Sequence, residues 1–504
     1  MTLKKNIAAS WAAHLVTLLV GFFLVPFVLR RIGEEGYGVW VFLNSVAGYS
    51  SLLYLGFGPT VCRYVTQHKA RGEWNAVNHV ASSVMAVYSI AALGVLLLGG
   101  GFAAVSPLID KWGGTPILEV QAAVLILGLN LAVGMVFSVY GGVLLAAKRF
   151  DLYGIVQGCT ALVRLGLTVL CLERQYGLVI LAGIFLAVTI VENVLTAAFA
   201  YREFPTLSIG PRWVRRNVLK ECFSFSVYNA IHGVSVQLIH FTDTIVIGLV
   251  LGPKAIVPYY IGSRLVQMAQ TPLEKIGDVV LPSAGELHAR NEQRRLVELL
   301  MKGMTLVMLL AGGLWIGAAY FGDQVVLAWM GESYAESHLI MLILLAGQVA
   351  SQPMLVVRQV LLAKGIVRGP AIFGIVEAFG NLVLSLVLIQ LIGIVGVAWG
   401  TLLPMLVVEL GLLLPFAMRQ LNLDTKELMR NVLVPLFLPL ALLWAYCEVV
   451  SQIVPPAGWG AILAVTVGGG AVVGAVWWGV EVVRRLDGCA RPSHPPPARQ
   501  EVTV

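Results

Sequence analysis

The chain has 504 residues, of which 58% are hydrophobic and only 12% charged, with a formal net charge of +7. A soluble chain of this length needs far more charge to cover its surface, so a polytopic membrane protein is expected and a soluble enzyme is excluded. The positive balance does not call for nucleic acid, because basic loops on one side of a membrane give the same excess.

The first apolar run, 7–29, follows Lys4 and Lys5. It is about twice as long as a signal-peptide core and has no small-residue cleavage site after it, so it reads as a retained first span. About fourteen windows of this kind follow one another, each near the 20 residues that cross a hydrocarbon core of about 30 Å. They lie at 7–29, 37–58, 78–104, 117–145, 152–172, 178–199, 223–249, 255–281, 301–321, 337–361, 369–390, 394–416, 432–452 and 459–483.

The connecting loops alternate in charge. One set carries Arg63, Lys69, Arg71, then Lys148, Arg149, then Arg202, Arg212, Arg215, Arg216, Lys220. The same set continues with Arg290, Arg294, Arg295, then Lys364, Arg368, then Arg419, Lys426, Arg430, and ends with Arg484, Arg485. The other set holds only Arg30, Arg31, Lys111, Arg174 and Lys254. This asymmetry predicts an even number of spans with both termini in the cytoplasm. The Pro-rich tail from Arg491 is expected to be disordered. Six scattered cysteines (Cys62, Cys159, Cys171, Cys222, Cys447, Cys489) form no readable disulfide framework or metal site.

The halves repeat. Ile32-Gly33-Glu34-Glu35-Gly36-Tyr37 after span one matches Leu251-Gly252-Pro253-Lys254-Ala255-Ile256 after span seven. At the same offset, Lys69-Ala70-Arg71-Gly72-Glu73 matches His288-Ala289-Arg290-Asn291-Glu292. Six spans per half is even, so the repeats are parallel, related by an axis along the membrane normal. The expected fold is all-α: two six-helix repeats plus two additional C-terminal spans. The expected domains are an N-terminal six-helix bundle (1–200), a basic linker (201–222), a C-terminal six-helix bundle (223–418), two further spans (419–483) and a tail (484–504).

Polar residues recur on one face of several spans. Span one carries Asn6, Ser10, His14, Thr17 and Gly21 at steps of four, four, three and four. Span seven carries Ser226, Asn229, Gly233, Gln237, His240 and Thr244, and Ser10 maps onto Asn229. Span five adds Gln157 and Arg164; span eleven adds Glu377, Asn381 and Ser385. Polar stripes toward lipid are unfavourable, so these faces are expected to line a shared cavity, although Ser, Thr and Asn also serve simple helix packing.

The eighth span, VPYYIGSRLVQMAQTPLEKIGDVVLP, stands apart. Arg264 lies about a third of the way in, at a depth where a charge costs at least about 2.5–3.5 kcal/mol and normally faces a bundle interior. Gln267 follows it, and Glu274, Lys275 and Asp278 crowd the far end, where they can gate a cavity or pair along their own helix. The short loops hold no paired carboxylates and no Walker-type glycine loop, which argues against a glycosyltransferase, polymerase or ATPase.

The block Pro26-Phe27-Val28-Leu29-Arg30-Arg31-Ile32-Gly33-Glu34-Glu35-Gly36-Tyr37-Gly38-Val39-Trp40 resembles the opening of polysaccharide flippases. These form the O-antigen flippase branch of the multidrug/oligosaccharidyl-lipid/polysaccharide exporter superfamily. Tyr259-Tyr260-Ile261-Gly262-Ser263-Arg264-Leu265 with Leu281-Pro282-Ser283 looks like the eighth span of that superfamily, especially its lipid II flippase members. The resemblance covers about residues 1–483.

It implies a non-enzymatic flippase moving an undecaprenyl-diphosphate-linked oligosaccharide across the bacterial inner membrane by alternating access. By position, Arg264 would contact the diphosphate. Span one offers His14 where lipid II flippases carry arginine, which points to a less charged cavity and another glycan. The expected cavity set is Arg264, Arg164, His14, Asn229, Gln237, His240, Gln267 and Asn381. Asp243, Glu274, Lys275, Asp278 and Glu377 are candidates for ion coupling or gating. No cofactor is expected beyond a coupling Na⁺ or H⁺. The expected partners are the lipid-linked glycan, membrane lipid and a glycan polymerase or ligase, with no nucleic acid, and the chain is expected to be a monomer. A cation-coupled multidrug antiporter of the same superfamily is the alternative, kept open by Glu192, Asp243, Glu377 and Glu409.

Overall fold

A computed structural model describes residues 3–49, 52–53, 57–109, 111–173, 176–453 and 458–490. Within those helices the side chains of 3–11, 57–59, 223–236, 240, 278 and 480–490 are outside the described residues, as is the tail from Arg491. The described residues are helical or in short connections, with no strand among them.

The first half runs α1 (Leu3–Tyr49), α2 (Phe57–Ala70), α3 (Trp74–Val105), α4 (Ile117–Ala146), α5 (Phe150–Cys171) and α6 (Gly177–Glu203). The second runs α7 (Arg216–Leu251), α8 (Ile256–Ala289), α9 (Gln293–Met330), α10 (Glu336–Ala363), α11 (Arg368–Ile392) and α12 (Ile394–Val408). A π-helical stretch, Glu409–Leu413, carries α12 into α13 (Leu414–Leu421). After the short α14 (Thr425–Leu428) come α15 (Val434–Ile453) and α16 (Trp459–Ala490). Eleven helices among the described residues are long and apolar enough to span a membrane. The helix order is consistent with fourteen spans once α1, which holds the first apolar window and the larger part of the second, is counted at its kink.

That kink falls on Gly33, with φ 79° and ψ 172°. Its repeat equivalent, Gly252, ends α7 with φ 93° and ψ 169°. Only glycine adopts this region without strain, so a Cβ would be resisted at both positions. The correspondence continues in the next turns: Gly72 (φ 73°) with Asn291 (φ 55°), and Gly113 (φ 62°) with Gly331 (φ 96°). The repeat is therefore written in backbone geometry as well as in residues.

Contacts gather the chain into two compact units. One comprises 1–269, 333–347 and 365–415; the other comprises 270–332, 348–364 and 416–504. In the first, α2, α3, α4 and the end of α6 close around Val65, Val84, Tyr88, Met135, Val143 and Phe204. In a bilayer such packing is driven by close van der Waals fit, and small residues allow it. Thus α5 presses Gly158 to within 3.6 Å of the Ala13 backbone on α1, measured from an ideal Cβ.

In the second unit, α15 and α16 pack on α9. Tyr320 donates to Glu448 at 2.6 Å and meets Trp444 edge-on at 5.4 Å. Thr305 Oγ1 donates to the Asn431 carbonyl at 3.3 Å. The outward faces of this pair are apolar, with Phe437 77% and Trp478 74% exposed, as suits helices bathed in lipid.

Candidate functional site

The tightest polar constellation in the first unit surrounds Asp243, which is 4% exposed on α7. Oδ2 accepts from Thr401 Oγ1 of α12 at 2.7 Å and from the Tyr259 hydroxyl of α8. Oδ1 accepts from Asn381 Nδ2 of α11 at 3.2 Å, with Ser385 Oγ at 3.5 Å. Asn381 Nδ2 also reaches Thr401 Oγ1 at 2.8 Å, and Thr401 keeps a 3.2 Å contact with the Val397 carbonyl. Four donors from three helices thereby offset the desolvation of one carboxylate.

Local sequence explains the convergence. Gly393, with φ 66°, turns α11 directly into α12. An ideal Cβ on Gly400 would stand 2.7 Å from the Ser385 backbone nitrogen, so only glycine lets α12 lie this close on α11. Asn381 and Ser385, four residues apart, share the face that Thr401 meets. One atom is left over: Asn381 Oδ1 is buried without a hydrogen-bond partner, in a residue 1% exposed.

Arg264 is placed differently. Its Nη1 donates to Gln267 Oε1 at 3.2 Å, while Nε is buried with no hydrogen-bond partner. No carboxylate pairs with it among the described residues. The guanidinium rests against α1: an ideal Cβ on Gly21 would stand 2.7 Å from Nη2. Gly21 ends the polar stripe of the first span, so the position reads as a seat for the arginine. Close by, Tyr37 and Tyr260 stack edge to face at 5.8 Å.

The remaining sequence candidates divide. His14 Nε2 is buried without a partner on α1. Arg164 stacks over the Phe185 ring at 4.5 Å, and Phe185 in turn meets Trp40 at 5.1 Å. Glu192, which lies 3.5 Å from Thr160 Oγ1, completes that cluster on α6. Glu377 is 5% exposed one turn before Asn381. Gln237 is half-buried on α7. In the second unit Glu274 accepts from Gln270 at 2.7 Å, and Lys275 is exposed. Asn229, His240 and Asp278 lie outside the described side chains.

Thus Asp243 and Asn381, assigned to separate roles in the sequence, meet in one network. Tyr259 and Thr401 were missing from the expected set. A hydroxyl directly after Gly400 was the available signal for Thr401.

At the α7–α8 turn a second polar knot forms. Glu34, beside the kink of α1, pairs with Lys254 Nζ at 3.0 Å and accepts from the Tyr334 hydroxyl at 3.1 Å. The Glu34 hydrogen bond raises the Lys254 pKa, and burial followed by the same carboxylate pushes Tyr334 up to about 12. Both groups therefore keep their protons at neutral pH, and their contribution is lost only as pH rises through these raised values. A Cβ on Gly38 would run into the Pro253 carbonyl, so this end of α1 is held tightly to the turn.

The family model described as polysaccharide biosynthesis protein matches residues 3–288. EpsK, a membrane protein of Bacillus subtilis (strain 168), is 21% identical over 345 residues, covering 66% of each chain. A putative O-antigen transporter of Shigella flexneri is 21% identical over 337 residues, covering 66% of this chain and 78% of the relative. A probable low-salt glycan biosynthesis flippase of Haloferax volcanii is 23% identical over 212 residues, 41% of this chain and 43% of the relative.

Among solved structures, an inward-facing multidrug resistance MATE family transporter superposes with a TM-score of 0.70 at 12% identity, covering 84% of this chain and 98% of that one. The lipid II flippase MurJ in its inward closed conformation gives 0.69 at 11% identity, covering 95% and 99%. At such identities the likeness speaks to the fold, and the fold is that of these transporters.

Proposed function

We propose, from the premise that this chain belongs to the polysaccharide biosynthesis protein family, that it flips a diphosphate-linked lipid oligosaccharide across a membrane by alternating access. The observation that carries the reading is Arg264: a guanidinium within a membrane helix, seated on Gly21, with a buried Nε–H that no group among the described residues accepts. A diphosphate leaving water needs charge-assisted donors, and arginine presents them in a fork matched to phosphate oxygens. His14, half-buried, with an Nε2 that has no partner among the described residues, adds a polar contact on α1 suited to sugar or phosphate.

The relatives named as O-antigen transporter and glycan biosynthesis flippase support this cargo class. The multi-pass chain is assigned to the bacterial inner membrane with both termini cytoplasmic, in keeping with the basic loops. It acts as a monomer that hands its glycan to a polymerase or ligase, and we assign it no bond-making step.

The Asp243 network favours a second element, coupling to a monovalent cation, Na⁺ or H⁺. The oxygens of Asp243, Asn381, Ser385 and Thr401 are the hard donors such an ion takes, and Asn381 Oδ1 has no other partner. Among the described residues no three His, Cys, Asp or Glu side chains converge as a divalent ion would ask. A proton carried on the Asp243 carboxyl would serve the same coupling. In the drug-antiporter alternative this site would do the same work while Arg264 would repel the cationic drug.

The test is complementation of a flippase-deficient strain, followed by translocation in vesicles against a panel of lipid-linked oligosaccharides. Restored surface glycan that depends on Arg264 supports the reading. Expression without glycan, combined with export of cationic dyes, overturns it in favour of the antiporter.

A further inference from the structure

The segment joining α6 to α7 is more ordered than a connecting loop needs to be. Four side chains from the start of α3 hold its backbone. Asn78 Nδ2 donates to the Thr206 carbonyl at 3.1 Å, and Asn78 Oδ1 accepts from Ser208 N at 2.9 Å. Ser82 Oγ accepts from Gly210 N at 3.2 Å, and Ser83 Oγ from Arg215 N at 3.1 Å. His79 Nδ1 donates to the Trp213 carbonyl at 2.6 Å and its ring meets the indole edge-on at 5.1 Å. Asn78, Ser82 and Ser83 are all buried beneath the segment.

This fixed ledge carries Arg212 and Arg215 and is flanked by Arg202 at the end of α6 and Arg216 and Lys220 at the start of α7, all exposed. None pairs with a carboxylate among the described residues. Two neighbouring acids are already engaged: Glu203 pairs with Arg149, and Glu73 with His68 at 2.6 Å. The α8–α9 turn, basic in the same topological sense, is built the other way. There Arg290 pairs with Glu286 at 2.5 Å, Arg294 with Glu298 at 3.4 Å, and Arg295 with Glu292 at 2.6 Å. Charge for orienting the chain during insertion requires neither a bolted backbone nor unneutralised arginines.

We propose that the α6–α7 ledge is a docking surface for anionic phospholipid headgroups of the cytoplasmic leaflet. It lies where α3, α6 and α7 end, which is headgroup depth for spanning helices. Lys and Arg near such a surface are attracted over about one Debye length, and an unpaired guanidinium can grip a lipid phosphate with two parallel hydrogen bonds. Trp213, half-buried with Arg212 stacked over it at 5.5 Å, is the residue type that settles at this interface. The inference rests on the orientation stated above and not on the assigned cargo.

The full chain is placed in nanodiscs of phosphatidylcholine alone or mixed with phosphatidylglycerol, and hydrogen exchange over 204–216 is followed. Phosphatidylglycerol should slow exchange several-fold at low salt, and high salt should remove the effect. The variant R212Q/R215Q/R216Q, all surface changes, should lose it. N78A/S83A, which loosens the ledge without altering charge, should weaken it, whereas R294Q should keep it. Equal exchange in both discs, or protection that survives in R212Q/R215Q/R216Q, would overturn the proposal. So would full protection by inorganic diphosphate in phosphatidylcholine discs at matched ionic strength, which would point to an ion from solution. Labelling an R212C variant with an impermeant maleimide checks the orientation independently.

Discussion

Asp243 and Arg264 are both ionisable groups within membrane helices of the second repeat, and the protein treats them in opposite ways. Asp243 is surrounded by Tyr259, Thr401, Asn381 and Ser385, each aimed at a carboxylate oxygen. Among the described residues Arg264 has one hydrogen bond, to the Gln267 one turn along its own helix, and a buried Nε–H with no acceptor. A buried charge is tolerated when its neighbours satisfy it or when a functional ligand does. The aspartate is therefore organised from within the fold, while the arginine keeps a buried Nε–H with no acceptor among the described residues, as the proposed diphosphate contact requires. This contrast suits a carrier in which a small ion is held by a rigid cluster and a large anion is held transiently.

The largest expected effect is at the arginine. Arg264→Ala should remove glycan translocation while leaving expression and folding intact, and Arg264→Lys should recover only part because the planar fork is lost. Normal surface glycan in the alanine variant would make the two charges equivalent structural features. Asp243→Asn comes next. It keeps the shape but removes the charge, so transport should fall at least about tenfold, which corresponds to about 1.4 kcal/mol. The residual rate should no longer respond to Na⁺ or pH, and an unchanged ion response would detach this cluster from coupling.

Gly21→Ala should cost a few-fold in transport by displacing Nη2. In an Arg264→Lys background the same change should cost almost nothing, since the displaced group is absent. Additive losses in that double-mutant cycle would mean Gly21 serves helix packing alone. The smallest effects are expected from trimming single donors around the aspartate. Tyr259→Phe and Thr401→Val should each lower thermal stability in detergent by about 0.5–1.5 kcal/mol, because the other donors still satisfy the carboxylate. A larger loss from Thr401→Val would show that the network behaves as one cooperative unit.

Some of this was legible in the residues. The repeat showed itself in matching turns, and Gly33 and Gly252 then took nearly the same backbone conformation. Arg264 stood out because charge at that depth is rare, and Gly21 fell on the predicted polar face of the first span. Arg164 was equally conspicuous; it stacks on Phe185 and, like Arg264, keeps a buried Nε without a hydrogen-bond partner among the described residues. Periodicity marks which face of a helix is polar but is silent on the partner that face meets.

Hydropathy, charge asymmetry and internal similarity are properties of short stretches, so the sequence by itself determined the spans, the basic loops, the repeat and the membership in a transporter class. Which polar groups would meet depends on how helices far apart in the chain lie on one another. Thr401 reaches Asp243 only because Gly400 leaves no side chain between α12 and Ser385. Arg212 and Arg215 read as ordinary inside-loop charges until α3 was seen to clamp the backbone that carries them. Close approach across a packed interface is set by both surfaces at once, and that information exists only in the folded chain.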